Sequence, residues 1–224
     1  MKIDEIYSFR FGLEIVQNVP ALSNLWEEIL ACIDSISDDD LIKRHKKIQE
    51  KENTKSLSKS INQLMDEKLI NYKWIPQSEI FATAEFGFSK KSDSAWTLDF
   101  SKSAILETGE KTGIAVEVAF NHGEAAAWNL VKPVLAAEIN DIRVKTHIGE
   151  GIGVVIVASP QLKKYGAFDG AIGDFVRYKK TLNAMRSQLT TPIILIGLAA
   201  PETFKIQANN QKNSPYKSGE VVPF

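Results

Sequence analysis

Two runs constrain the fold of this 224-residue chain more than any other feature: Gly153 to Ala158 and Ile193 to Ala200 are almost wholly apolar. Both are far too short to span a bilayer. They read as β-strands buried on both faces, which is what a sheet covered by helices on each side requires. Helical patterns accompany them. Gly123 to Ile139 has helical spacing, with Pro133 expected to distort it, and Phe168 to Leu189 reads as a second helix. Alternating helices and strands after residue 94 predict the α/β class, with a central mixed β-sheet flanked by helices.

The remainder of the chain suits that frame. Ile3 to Phe9 alternates as a short strand. Between Pro20 and Ile36, Leu22, Leu25, Trp26, Ile29, Leu30 and Ile33 form a helical stripe, with Glu27 and Glu28 on the other side. Asp38, Asp39 and Asp40 are expected in the negatively charged first turn of a helix that continues through Lys43, Arg44, Lys46 and Lys47. Ser56 to Leu69 predicts another amphipathic helix, and Glu50 to Lys59 a mobile connection. Tyr72 to Phe88 is aromatic-rich and irregular. The tail from Phe204 to Phe224 reads as a loop or arm. The whole is expected to be one domain over 1–224, with a helical part to about residue 72, a sheet core over about 94–200 and a C-terminal arm over 204–224.

Two acidic residues interrupt strand patterns. Ser94 to Lys102 contains Asp99, and Gly113 to Phe120 contains Glu117 between Val116 and Val118. The turn signal Thr108-Gly109-Glu110-Lys111-Thr112-Gly113 makes a hairpin of the two. A carboxylate in a buried strand is costly unless paired or bound to a cation. On neighbouring strands, Asp99, Glu117 and the carbonyl of Val118 would converge on one hard divalent ion, Mg²⁺, suited to polarising a phosphodiester and supplying a hydroxide-like water. The alternative is an edge strand with Glu117 in water. A third group normally stands two positions after the Glu and orients the attacking water; that position is Ala119, whose methyl can do neither task. Either a neighbour such as Lys102 takes the role, or catalysis is weakened.

Other features say less. The charge balance, 27 basic against 28 acidic residues for a net −1, neither supports nor excludes nucleic-acid binding. The single cysteine, Cys32, excludes an internal disulfide and a cysteine-built zinc site; it reads as a core residue and suits a reducing cytoplasm. No export signal or membrane span is expected. His122, after the Glu117 strand, is a phosphate-contact candidate. His45 reads as solvated in the basic run Lys43-Arg44-His45-Lys46-Lys47, itself either a solvated helix face or a DNA-backbone contact. His147 has no partner at ligand spacing. Gly149, Gly151 and Gly153 precede a strand, whereas a phosphate-binding glycine loop follows one, so no nucleotide cofactor is expected.

With these residues in hand, the chain resembles type II restriction endonucleases of the BglII and BstYI kind. The likeness runs through Met1-Lys2-Ile3-Asp4-Glu5-Ile6-Tyr7-Ser8, Gly12-Leu13-Glu14 and Leu25-Trp26-Glu27-Glu28-Ile29. It continues through Asp99-Phe100-Ser101-Lys102, Val116-Glu117-Val118 with Phe120, and Pro192 to Ala199. It is scattered but collinear over most of residues 1–200. The resemblance implies a PD-(D/E)xK nuclease core, a bacterial cytoplasmic homodimer, and Mg²⁺-dependent cleavage of double-stranded DNA at a short palindrome with GATC at its centre. Asp99 and Glu117 match the metal-binding acids, and Ala119 matches a position where the relatives have Gln. The Asp–Glu spacing is longer than in the relatives, implying an extended hairpin at Ala104 to Thr112. Base-edge or backbone contacts are expected from Lys102, Asn121, His122, Asn140, Arg143 and Lys145, and from the tail Asn209 to Ser214 unless that is an unstructured end. A non-cutting DNA-binding protein on the same scaffold is the alternative, motivated by Ala119. A nuclease selective for DNA structure rather than sequence is a third reading.

Overall fold

The structure, a computed structural model, describes residues 1–81, 96–138, 146–209 and 218–224. In chain order the elements are β1 (Ile3–Phe9), α1 (Gly12–Asn18), α2 (Pro20–Asp34), α3 (Asp38–Gln49), α4 (Ser58–Asn71) and β2 (Ile75–Glu79), then β3 (Thr97–Ile105), β4 (Lys111–Val118) and α5 (Ala126–Glu138). β5 (Ile152–Ala158), α6 (Pro160–Tyr165), α7 (Phe175–Ala184), β6 (Ile193–Leu198), β7 (Phe204–Asn209) and β8 (Ser218–Pro223) follow.

One six-stranded sheet has the order β1-β6-β5-β4-β3-β2. β4, β5 and β6 run parallel, whereas β1 and the β2–β3–β4 meander pair antiparallel. The expected mixed sheet is therefore present. β5 and β6 are buried at every position because helices cover both faces. On one face, Phe100, Ile114, Val116, Val154 and Ile156 pack against the stripe of α2 and against α4. On the other, Val155, Val157 and Leu195 pack against Ala126, Leu130 and Val134 of α5 and Phe175, Tyr178 and Leu182 of α7. Each fully buried aliphatic side chain contributes on the order of 1.5–3 kcal/mol, so these two layers carry most of the stabilisation.

Local chemistry sets the element ends. Ser37 and Asp40 form a reciprocal capping box at the start of α3, and Asp38 to Asp40 complement its N-terminal dipole as expected. The hairpin is long, with Ala104 opposite Thr112 and Ile105 opposite Lys111. The helix expected over Phe168 to Leu189 is shorter, because Gly170 and Gly173 interrupt the pattern and Asp174 caps a helix that starts only at Phe175. A second short helix, α6, begins at Pro160 behind the capping hydroxyl of Ser159. The Glu50 to Lys59 connection is anchored: Leu57 is fully buried and its N–H donates to the Gly166 carbonyl. Gly149 and Gly151 serve packing. A Cβ at Gly149, where φ is +64°, would lie 1.9 Å from the Lys111 carbonyl oxygen, so only glycine lets this turn abut β4.

The C-terminal arm is a β7–β8 hairpin rather than a loop. It is held by a residue expected in solvent. His45 is fully buried on α3; its Nε2 lies 2.9 Å from the Gly219 carbonyl oxygen, which also accepts from Gln49 at 2.6 Å. Ser60 Oγ lies 3.4 Å from Nδ1. The basic run is solvated on one side only, since His45 shares the inward stripe with Leu41 and Ile48. Burial lowers the His45 pKa below 6.5, opposed in part by the hydrogen bond to Gly219. The unfolded chain therefore takes up this proton first, and stability falls as pH drops below 6.5. Urea titrations are expected to show this slope flattened in His45→Gln. His45→Ala should lower stability by about 1–3 kcal/mol at neutral pH by leaving the Gly219 carbonyl short of a donor.

Candidate active site

The two strand carboxylates meet where the sheet divides. The β3–β4 ladder runs from Ile105 and Lys111 as far as Phe100 opposite Val116. Beyond that pair, β3 continues against β2 through Leu98 and Thr97, and β4 continues against β5 through Val118 opposite Ile156. Side chains take over from the ladder in the fork. The Val118 N–H donates to Asp99 Oδ2 at 2.7 Å, and the Asp99 N–H in turn donates to the Glu117 carboxylate. Asp99 and Glu117 thus hold one another in place through backbone donors, and neither lies on an edge strand.

Glu117 is 2% exposed. Its Oε2 forms an ion pair at 2.5 Å with Lys132 Nζ of α5, while its Oε1 is buried with no hydrogen-bond partner among the described residues. Lys132 also donates to the Thr97 carbonyl oxygen at 3.0 Å. Burial pushes the Glu117 carboxyl up to about 8, the Asp99 charge adds to this, and Lys132 opposes it. Asp99 is also raised, chiefly by burial, against the Val118 N–H, Lys132 and Gln77. Asp66 on α4 is raised by burial and by the Asp99 charge.

A cleft of about 380 Å³ opens over these groups, lined among others by Asp99, Glu117, Val118, Ala119, Asn121 and Lys132. Asn129 buttresses its wall, donating to Asn121 Oδ1 at 3.0 Å and to Tyr178 Oη at 2.7 Å. Among the described residues no group of three or more His, Cys, Asp or Glu gathers as a metal cluster. The donor set nevertheless fits Mg²⁺: two carboxylates and a nearby main-chain carbonyl are hard oxygen donors, and this ion commonly keeps water and phosphate as its other ligands. The orphaned Glu117 Oε1 is a buried acceptor lacking the partner that a cation would provide.

The expected site residues divide accordingly. Asp99, Glu117, Val118, Ala119 and Asn121 line one cleft. His122 is exposed just beyond it. Lys102 is a correction. It has the strand parity of Phe100 and so faces α2, where its ammonium lies 2.7 and 2.8 Å from the Glu28 carboxylate oxygens and 2.7 Å from the Tyr72 carbonyl oxygen. Engaged there, it is not among the residues that line the Asp99–Glu117 cleft. Asn140, Arg143 and Lys145, with tail residues 210–214, lie outside the described residues. Sequence reasoning missed Lys132 and Asn129. Their three-residue spacing on a helix otherwise lined with Ala126, Leu130, Val134 and Ala137 was the available signal, a polar pair on an inward stripe.

The raised Glu117 carboxyl has a measurable sign. Its folded pKa lies above the unfolded value of 4.5, so its contribution is fully present below 4.5 and is lost as pH climbs through about 8. In chelator, the melting temperature of the wild type should therefore fall relative to that of Glu117→Gln as pH rises across this window. Scanning calorimetry of the pair at several pH values checks it, and parallel curves would contradict the burial argument.

The sequence profile described as Restriction endonuclease BglII/BglIII matches residues 5–198. No curated protein matches the chain significantly. Among solved structures, the chain is similar to that of restriction endonuclease BglII complexed with a DNA 16-mer: 17% identity, TM-score 0.59, with all of each chain covered. At that identity the structural likeness speaks to the fold, and it is the same helix-flanked mixed sheet described above. The match over most of the sequence decides the family: this chain belongs to the BglII/BglIII restriction endonucleases, which are site-specific deoxyribonucleases.

Proposed function

We propose that the protein is a type II restriction endonuclease that binds double-stranded DNA as a homodimer and cuts both strands at a short palindrome with GATC at its centre, using Mg²⁺. The observation that carries this reading is the convergence of Asp99 and Glu117 in the fork between β3 and β4, with Glu117 Oε1 unpartnered among the described residues. Asp99, Glu117 and the Val118 carbonyl would hold the ion, which when bound polarises the scissile phosphate and makes its water a stronger nucleophile. The protein contributes the rest. The fork holds the two carboxylates in register, and the α5 side excludes bulk water from the buried Glu117 carboxylate. Asn121, braced by Asn129, stands at the cleft wall where a DNA backbone would pass. A two-fold dimer presents one such cleft to each strand of a two-fold DNA site.

The second reading, a DNA-binding protein that does not cut, draws on Ala119. Its methyl is 3% exposed and packs with Ala126 and Leu130, so it cannot orient water. Digestion of a plasmid of known sequence separates the two. The chain as written is expected to cut in Mg²⁺ at fixed positions sharing one palindrome, and to sediment as a dimer. Asp99→Ala should cut more than about 100-fold more slowly, since loss of even an outer partner of a metal ligand costs up to that much. Fixed binding in a gel shift with no cut in either strand would favour the second reading.

A further inference from the structure

The strand position two beyond Glu117 carries only a methyl group, yet the cleft contains a cation delivered from the other side. Lys132 stands mid-helix on α5, 6% exposed, with its ammonium 2.5 Å from Glu117 Oε2 and lining the same cleft as Asp99 and Ala119. A buried ammonium is expensive to desolvate, and its stem would reach water more cheaply from almost any outward position. Two features draw it in. A Cβ at Gly153 would lie 2.8 Å from Pro133 Cβ, so the absence of a side chain there lets α5 sit close against β5, one residue from Lys132. Ala119 belongs to the apolar cluster with Ala126 and Leu130, so the strand side of the cleft offers no polar group at this position and one can come only from the helix side. A small residue on the strand and a long one on the helix are two halves of one arrangement.

We propose that Lys132 performs from α5 the part that a polar side chain at position 119 would perform from β4, so that the chain as written is a competent nuclease. This rests on the nuclease reading above. With one side of its ammonium held by Glu117 and Thr97, Lys132 directs a further N–H into the cleft, where it orients the attacking water and offsets charge on the phosphate as it develops. The water oxygen forms the new bond to phosphorus. The bond to the departing ester oxygen breaks with its electron pair on that oxygen, which takes a proton from solvent. The proton of the water passes to solvent, and Lys132 gives none up.

The test measures single-turnover plasmid cleavage in Mg²⁺, duplex binding in Ca²⁺ and far-ultraviolet ellipticity for six proteins: wild type, Lys132→Met, Lys132→Ala with and without ethylamine, Lys132→Met combined with Ala119→Lys, Ala119→Gln and Ala119→Lys. Wild type should cut. Lys132→Met should lose about 100- to 1,000-fold in cleavage rate, as for removal of a transition-state donor, while duplex affinity in Ca²⁺ is kept. Ethylamine should restore part of the rate to Lys132→Ala, and the relocated lysine part of it to Lys132→Met. Cleavage by Lys132→Met at the wild-type rate overturns the assignment. So does a loss accompanied by lost duplex binding and lost ellipticity, or one that neither ethylamine nor the relocated lysine recovers. An inert wild type beside an active Ala119→Gln also overturns it, and leaves the nuclease reading standing. If wild type, Ala119→Gln and Ala119→Lys leave every duplex intact, the nuclease reading itself falls, and the role of Lys132 with it.

Discussion

The structure turns on a buried charge cluster where the sheet forks. Two carboxylates and one ammonium lie between β3, β4 and α5, and none can be desolvated alone without a large penalty. Backbone donors compensate part of it: Val118 supplies its N–H to Asp99, and Asp99 its own to Glu117. Lys132 compensates another part. Glu117 Oε1 keeps an unfilled demand. A purely structural ion pair gains nothing from such an orphan, since replacement of buried pairs by apolar residues is often neutral or stabilising.

The surrounding layers exist on terms this cluster dictates. Asp99 and Glu117 can face a common point only because the β3–β4 ladder stops at Phe100 and Val116 while each strand goes on pairing with its other neighbour. α5 must lie near the sheet for a lysine to reach across, and the Pro133–Gly153 contact permits that approach. Behind it Tyr178, pushed by burial up to about 12 and so retained as a hydroxyl, accepts from Asn129 and fixes the cleft wall. Low polarizability around the cluster strengthens each of these interactions over its value in water.

Much of this was legible from local pattern. Continuous apolar runs announced the central strands, because burial on both faces leaves no polar alternation. The stripe of α2 and the acidic cap of α3 follow rules that act within one or two turns. Errors arose where a local rule met a competing one. The helix over Phe168 to Leu189 loses its first part to Gly170, Gly173 and the Asp174 cap. Ile75–Glu79, with a proline inside it, shows little strand signal, yet as the sheet edge it tolerates one. His45 was hidden by charged neighbours that share its helix but not its face.

By itself, the sequence determined that a mixed sheet would form and that Asp99 and Glu117 would sit on neighbouring strands, since strand period, turn chemistry and the cost of a buried carboxylate are all local or pairwise. Only the tertiary structure decided which cation meets them. Lys102, close to Asp99 along the chain, is turned by strand parity onto the opposite face and into the Glu28 carboxylate. Lys132, far from it along the chain, is brought in by the packing of a helix across the sheet. Spacing along a chain cannot reveal which helix face meets which strand; that is settled by how the layers pack together.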